Sequence, residues 1–203
     1  MKKTKTSYLL RGTPSILLVL GAGFVMASSE RLQEAIGMGA AVLLAMLLSS
    51  IVVSAVHKII PAYAKLPAYV LIITGFVTLI SMLMEAFFPE IVDMLGVHLA
   101  TLAVSAVIYR DAEEVADHNG EATSIKTALV TGVFFTVIMV VCALIRETLG
   151  SAAIWGLPIE FLKDYKIDIL AEAFGGYLVL AIVLAVINKV TGLHHHHNEK
   201  EDN

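Results

Sequence analysis

Charge is scarce in this chain, and cysteine is almost missing. Charged residues fill 16% of the 203 positions, where a soluble domain carries about 25%. A single thiol, Cys142, rules out an intrachain disulfide. It also rules out a zinc or iron–sulfur centre held by this chain's thiols alone, since such centres need several thiolates or imidazoles. Cys142 lies in the apolar run Val140-Val141-Cys142-Ala143 and reads as a small buried hydrophobe. The chain has no basic cluster, and its net charge is −4, so a nucleic-acid partner is not expected. No phosphate loop, Ser–His–Asp set or zinc motif occurs along it.

What fills the chain is apolar. Hydrophobic residues make up 58% and the mean hydropathy is +0.82. They gather in six segments, roughly 14–29, 36–57, 66–88, 91–109, 127–145 and 171–190, with short polar joins between them. A run of about 20 apolar residues at 1.5 Å rise matches a hydrocarbon core of about 30 Å. The pattern predicts an all-α integral membrane protein with six transmembrane helices. It comprises an N-terminal tail over 1–13, a membrane domain over 14–190 and a polar, His-rich tail over 191–203. No room remains for a separate catalytic domain, so partner chains must supply any such chemistry.

Lysine and arginine set the orientation. With all six segments spanning and the N-terminus inside, the inner side holds Lys2, Lys3, Lys5, Arg11, Lys58, Lys65, Arg110, Lys126, Lys189 and Lys200. The outer side holds Arg31, Arg146, Lys163 and Lys166. Both termini are therefore expected in the cytoplasm. Segment 1 also resembles a signal peptide, with Val25-Met26-Ala27 as a cleavage site, but it is expected to be kept as a helix.

The joins carry their own chemistry. Pro61 ends segment 2, Pro67 opens segment 3 and Pro89 breaks the chain before segment 4, because proline cannot continue a helix but suits its first turn. Asp111 to Glu121 is acidic and reads as a cytoplasmic join. Gly150 to Lys166 is the longest outer join, with Trp155 and Tyr165 suited to the membrane interface. Leu20-Gly21-Ala22-Gly23 in segment 1 echoes Leu95-Gly96-Val97-His98 in segment 4. Three spans per half force opposite orientations, which suggests two inverted three-helix halves whose interrupted short helices build a midplane site.

Few polar residues lie inside the segments. Glu85, near the end of segment 3, is a candidate for an ion path, since a carboxylate in lipid is costly; within a turn of Pro89, it reads first as a solvated interfacial group. His98 offers a proton relay or ligand, with a satisfied structural histidine as the plainer reading. Arg146-Glu147 ends segment 5 and can pair internally, with a partner subunit or with lipid headgroups. Glu172, one turn after Asp168, opens segment 6 as a possible cation-path group or a solvated terminus. Gly175-Gly176, with Ala171 at a small-xxx-small spacing, reads as helix packing. His194 to His197 can bind a divalent metal, but they read first as an uninvolved tail.

Several stretches together resemble a known family. They are Ile36-Gly37-Met38-Gly39-Ala40-Ala41, His57-Lys58-Ile59-Ile60-Pro61, Leu66-Pro67-Ala68-Tyr69-Val70-Leu71-Ile72-Ile73, Met94-Leu95-Gly96-Val97, Arg110-Asp111-Ala112-Glu113-Glu114-Val115-Ala116 and Arg146-Glu147-Thr148-Leu149-Gly150. In order and spacing the chain resembles, over about residues 12–190, the six-span membrane subunits of the Rnf and Nqr electron-transport complexes, specifically the E subunit of Rnf and the D subunit of Nqr. The resemblance implies a retained segment 1, paired with segment 4, and a cytoplasmic N-terminus in a prokaryotic plasma (inner) membrane. It also implies membrane lipid, a homologous subunit of opposite orientation and other complex subunits as partners.

The resemblance also implies a [2Fe–2S] cluster shared by two such subunits, one cysteine coming from each half. Here those positions read Gly21 and Ala106, and neither carries a donor atom. The expectation is a membrane subunit of an ion-translocating electron-transport complex that holds no cofactor by itself, with flavin and iron–sulfur clusters carried by its partners. Two other readings remain open: a cluster-less small-solute or ion transporter, and a structural membrane-assembly subunit. Glu85, His98, Arg146, Glu147 and Glu172 are the candidates for an ion path or interface.

Overall fold

The structure is a computed structural model that describes Gly21 and residues 30–113, 121–158 and 168–198. Apart from Gly21, segment 1 lies outside the described residues. Among those described, the chain forms α1 (Leu32–Val56), α2 (Lys65–Phe87), α3 (Pro89–Leu95), α4 (Val97–Thr101), α5 (Ala106–Asp111), α6 (Glu121–Gly150), α7 (Asp168–Ala171) and α8 (Ala173–Asn198). Short 3₁₀ turns precede α2 and join α4 to α5. A small antiparallel hairpin, β1 (Ala153–Ile154) with β2 (Leu157–Pro158), follows α6.

Three of these helices are long and apolar enough to cross a membrane: Leu32–Val56, Ala62–Phe87 and Ser124–Gly150. Segment 4 is not one straight helix but a bent pair. Pro89–Leu95 and Val97–Asp111 are bent by 76°, and the break is at Gly96, with φ +51° and ψ −131°. A residue with a Cβ resists that conformation, whereas glycine adopts it freely. The interruption thus falls on the Leu95-Gly96-Val97-His98 stretch that echoes segment 1. Segment 6 also differs from a plain span. A bend at Glu172 separates α7 from α8, and the apolar part of α8, Phe174–Ile187, is shorter than a full crossing. The helix itself continues through Asn198, so the four histidines of the tail extend α8.

The centre of the molecule is the α1–α6 pair. In α1 the buried residues Ala35, Met38, Val42, Ala45, Ser49 and Val53 follow the three- and four-residue spacing of one helix face. In α6, Ala128, Phe135, Met139, Cys142 and Arg146 do the same. Two glycines bring the helices close. A Cβ at Gly132 would lie 3.3 Å from Leu43 Cα, and a Cβ at Gly39 would run into the Thr136 side chain. Leu43 lies four residues beyond Gly39, and Gly132 four before Thr136, so the helices run antiparallel. Thr136 Oγ1 donates to Gly39 O at 3.1 Å and to its own Gly132 O at 2.8 Å. Small residues and a shared hydroxyl are how helices associate where lipid removes the hydrophobic drive. Cys142 packs into this core, as its apolar surroundings suggest.

Candidate functional site

The C-terminal end of α6 carries the most unusual chemistry. Arg146 is 1% exposed and Glu147 is 2% exposed, and both reach for backbone groups. Glu147 Oε2 accepts the Leu32 N–H at 2.8 Å, and its Oε1 accepts the Gly156 N–H at 2.6 Å. Leu32 is the first residue of α1, and the preceding Arg31 offers no side-chain cap. The first amides of a helix have no intrahelical partner and attract negative charge, so Glu147 caps α1 from a neighbouring helix. Arg146 serves the opposite pole. Its Nε donates to Leu170 O at 3.2 Å and its Nη2 to Glu172 O at 3.3 Å, so it grips the carbonyls at the α7–α8 break, where Glu172 O also accepts the Gly176 N–H at 3.3 Å.

These contacts answer one physical demand. Within a bilayer a broken helix exposes amides and carbonyls that water cannot reach, and each must be satisfied by protein. Two adjacent side chains satisfy the start of α1, the hairpin turn and the α7–α8 break. Acidic groups gather beside them: Glu30 and Glu34 lie within electrostatic reach of Arg146, and Arg31 Nε stands 4.0 Å from Glu34 Oε1. Gly175 closes the break from the other side, because a Cβ there would collide with the Ile169 and Leu170 backbone. The close approach made by Gly175 is therefore to the preceding turn of its own chain.

The other candidates lie apart from this cluster. Glu85 on α2 and His98 on α4 are both exposed, and Thr101 Oγ1 donates to the His98 carbonyl at 2.7 Å. Glu172 joins the cluster through its backbone oxygen, while the residue itself is exposed. Asp111 is the residue that sequence reasoning missed. The stretch from Asp111 reads as a solvated join, yet Asp111 is 6% exposed at the end of α5, which packs on α1 and α2. Its Oδ2 is buried without a hydrogen bond among the described residues. A carboxylate in that state is costly and marks function by default. Polarity of the neighbouring sequence hid it, and only the packing of α5 reveals it.

The two positions at which the resemblance expects thiolates come near each other. A Cβ at Gly21 would run into the Phe135 ring and lie 3.2 Å from Val107 Cγ2, and Val107 is the neighbour of Ala106. The space a side chain at 21 needs is filled by Phe135. Ala106 is exposed and has no donor atom, and Cys142 is buried in the core of α6. These residues do not fit an iron–sulfur cluster.

Comparison with known proteins agrees with this architecture. The family described as "Rnf-Nqr subunit, membrane protein" matches residues 1–192. The E subunit of the Na(+)-translocating ferredoxin:NAD(+) oxidoreductase complex of Acetobacterium woodii is 32% identical, over 92% of this chain and 95% of that protein. The E subunit of the ion-translocating oxidoreductase complex of Methanosarcina acetivorans is 30% identical, over 89% and 86%. The E subunit of the proton-translocating ferredoxin:NAD(+) oxidoreductase complex of Clostridium ljungdahlii is 27% identical, over 95% and 88%.

Proposed function

This chain belongs to the Rnf-Nqr family of membrane subunits, and from that premise we propose that it works as the E-type subunit of an Rnf-type ion-translocating electron-transport complex. The observation that carries this reading is the likeness to E subunits over nearly the whole length of both chains. Relatives named for sodium (32% identical) and for proton translocation (27% identical) both match nearly the whole chain, so family membership leaves the ion open.

Within such a complex the chain is a scaffold that supplies no iron ligands, and flavin and iron–sulfur clusters belong to its partners. Phe135 packed against Gly21 supports this. The membrane domain is two inverted three-helix halves, opened by segments 1 and 4, and segment 4 is interrupted at Gly96. It sits in a prokaryotic inner membrane with both termini in the cytoplasm, facing lipid and a homologous subunit of opposite orientation. Arg146 and Glu147 hold the helix breaks at the outer end in place. Asp111 is the ion-path carboxylate best supported by burial, while Glu85, His98 and the Glu172 side chain fit an interface.

A mild-detergent pull-down from the native membrane tests the assignment. Flavin- and iron–sulfur-bearing chains are expected to co-purify. Recovery alone or as a homodimer would overturn the subunit reading in favour of a transporter. In the purified complex, Asp111→Asn is expected to leave assembly intact and to lower ion transport into proteoliposomes. Unchanged transport would remove Asp111 from the path.

A further inference from the structure

The hairpin after α6 presents its apolar side chains outward. Ile154 is 44% exposed, Trp155 51% and Leu157 70%. The turn between the strands has φ +59° at Trp155 and +76° at Gly156. Two positive φ values define the tight turn that matches the strand twist, and its first position favours asparagine, aspartate or glycine. Tryptophan there is strained, and such strain persists only where the surroundings hold it. The holding contact is the 2.6 Å hydrogen bond from the Gly156 N–H to the buried Glu147 carboxylate. The register, Ala153 with Pro158 and Ile154 with Leu157, places Trp155 at the tip.

We propose that this hairpin is a lipid anchor: Trp155, with Ile154 and Leu157, seats in the interfacial region of the leaflet where α6 ends. Continuity with the bilayer-facing surface of the protein supports a lipid occupant. Val137, Val141 and Leu144 form an exposed apolar stripe on α6, and the hairpin begins three residues after α6 ends at Gly150. No charged residue occurs from Thr148 to Ile159, so nothing repels this tip from the boundary between headgroups and acyl chains. Indole, with an apolar body and one N–H, concentrates at that depth. The anchor also has a mechanical use. Glu147 ties the hairpin to the first amide of α1, so lipid contact at the tip fixes the height at which α1 starts. This inference rests on membrane residence alone and stands apart from the redox assignment.

Trp155 is the only tryptophan in the chain, which makes the test direct. The full-length protein is placed in nanodiscs of phosphatidylcholine brominated either near the headgroup or near the end of the acyl chain, with Trp155→Phe as the blank. The expected result is blue-shifted emission, lost mostly to the shallow bromines, less to the deep ones and little to aqueous iodide. Strong quenching by iodide with none by lipid would put the tip in water and overturn the anchor. Protection from iodide and from both lipids would mean that protein covers the tip, such as a second copy of the chain, and would overturn it equally. Glu147→Ala is expected to shift the emission of the folded protein to the red, because the turn loses its holding contact.

Discussion

The α1–α6 pair and α2 are comparably apolar, yet they occupy different places. In its most apolar window the α1 span is 56% buried, against 17% for the span that contains α2. Apolar character is no guide to the difference, since lipid is as apolar as leucine. Shape decides it. Gly39 and Gly132 let two backbones approach, and Thr136 bonds across the contact. Gly75 of α2 has nothing within 4 Å of where a side chain would start. The same residue type is a packing device on one helix and an open surface on the other.

Substitutions can break or sharpen this contrast. The largest effect is expected where α6 ends against the start of α1. Arg146→Met removes two charged hydrogen bonds to the Leu170 and Glu172 carbonyls and the buried cation near Glu34, at a cost of about 3–5 kcal/mol. Thermal unfolding in mild detergent should show little folded protein; a near-native midpoint would mean that water already serves those carbonyls. Next comes Gly39→Leu, which forces a side chain into Thr136 and should cost about 1–3 kcal/mol, read as a lowered midpoint and faster proteolysis between α1 and α2. Thr136→Val keeps the volume and removes the shared hydroxyl, with an expected loss of about 0.6 kcal/mol. Gly75→Leu should change the stability of the isolated chain by no more than about 0.5 kcal/mol. A loss of the complex from the same variant, with the chain itself still stable, would identify the open α2 face as a subunit contact.

Much of this organisation is legible in the chain. The segment at 36–57 became α1, that at 66–88 became α2, and Pro89 opens α3 as its fixed φ favours. The Gly96 break coincides with the echo of segment 1, because a glycine in an apolar helix signals either close packing or an interruption. Other features were hidden. Arg146 and Glu147 look like interfacial charges because they end an apolar run, yet their partners are backbone groups far along the chain: Leu32, Gly156, Leu170 and Glu172. Asp111 belongs by its neighbours to an acidic join, and only the packing of α5 on α1 and α2 removes it from solvent. The bend at Glu172 has no proline to announce it; the Arg146 hydrogen bonds and the space at Gly175 sustain it.

The sequence by itself determined the membrane class, the rough placement of the apolar segments, the family and the lack of donor atoms at Gly21 and Ala106. All of these depend on residue identity or on hydropathy summed over one helix, so they need no knowledge of neighbours. Only the tertiary structure decided which helices form the centre, which charges are buried and what satisfies them. Close helix packing and backbone capping in lipid depend on atoms within about 3 Å of one another, brought together from segments more than 100 residues apart, as Leu32 and Glu147 are.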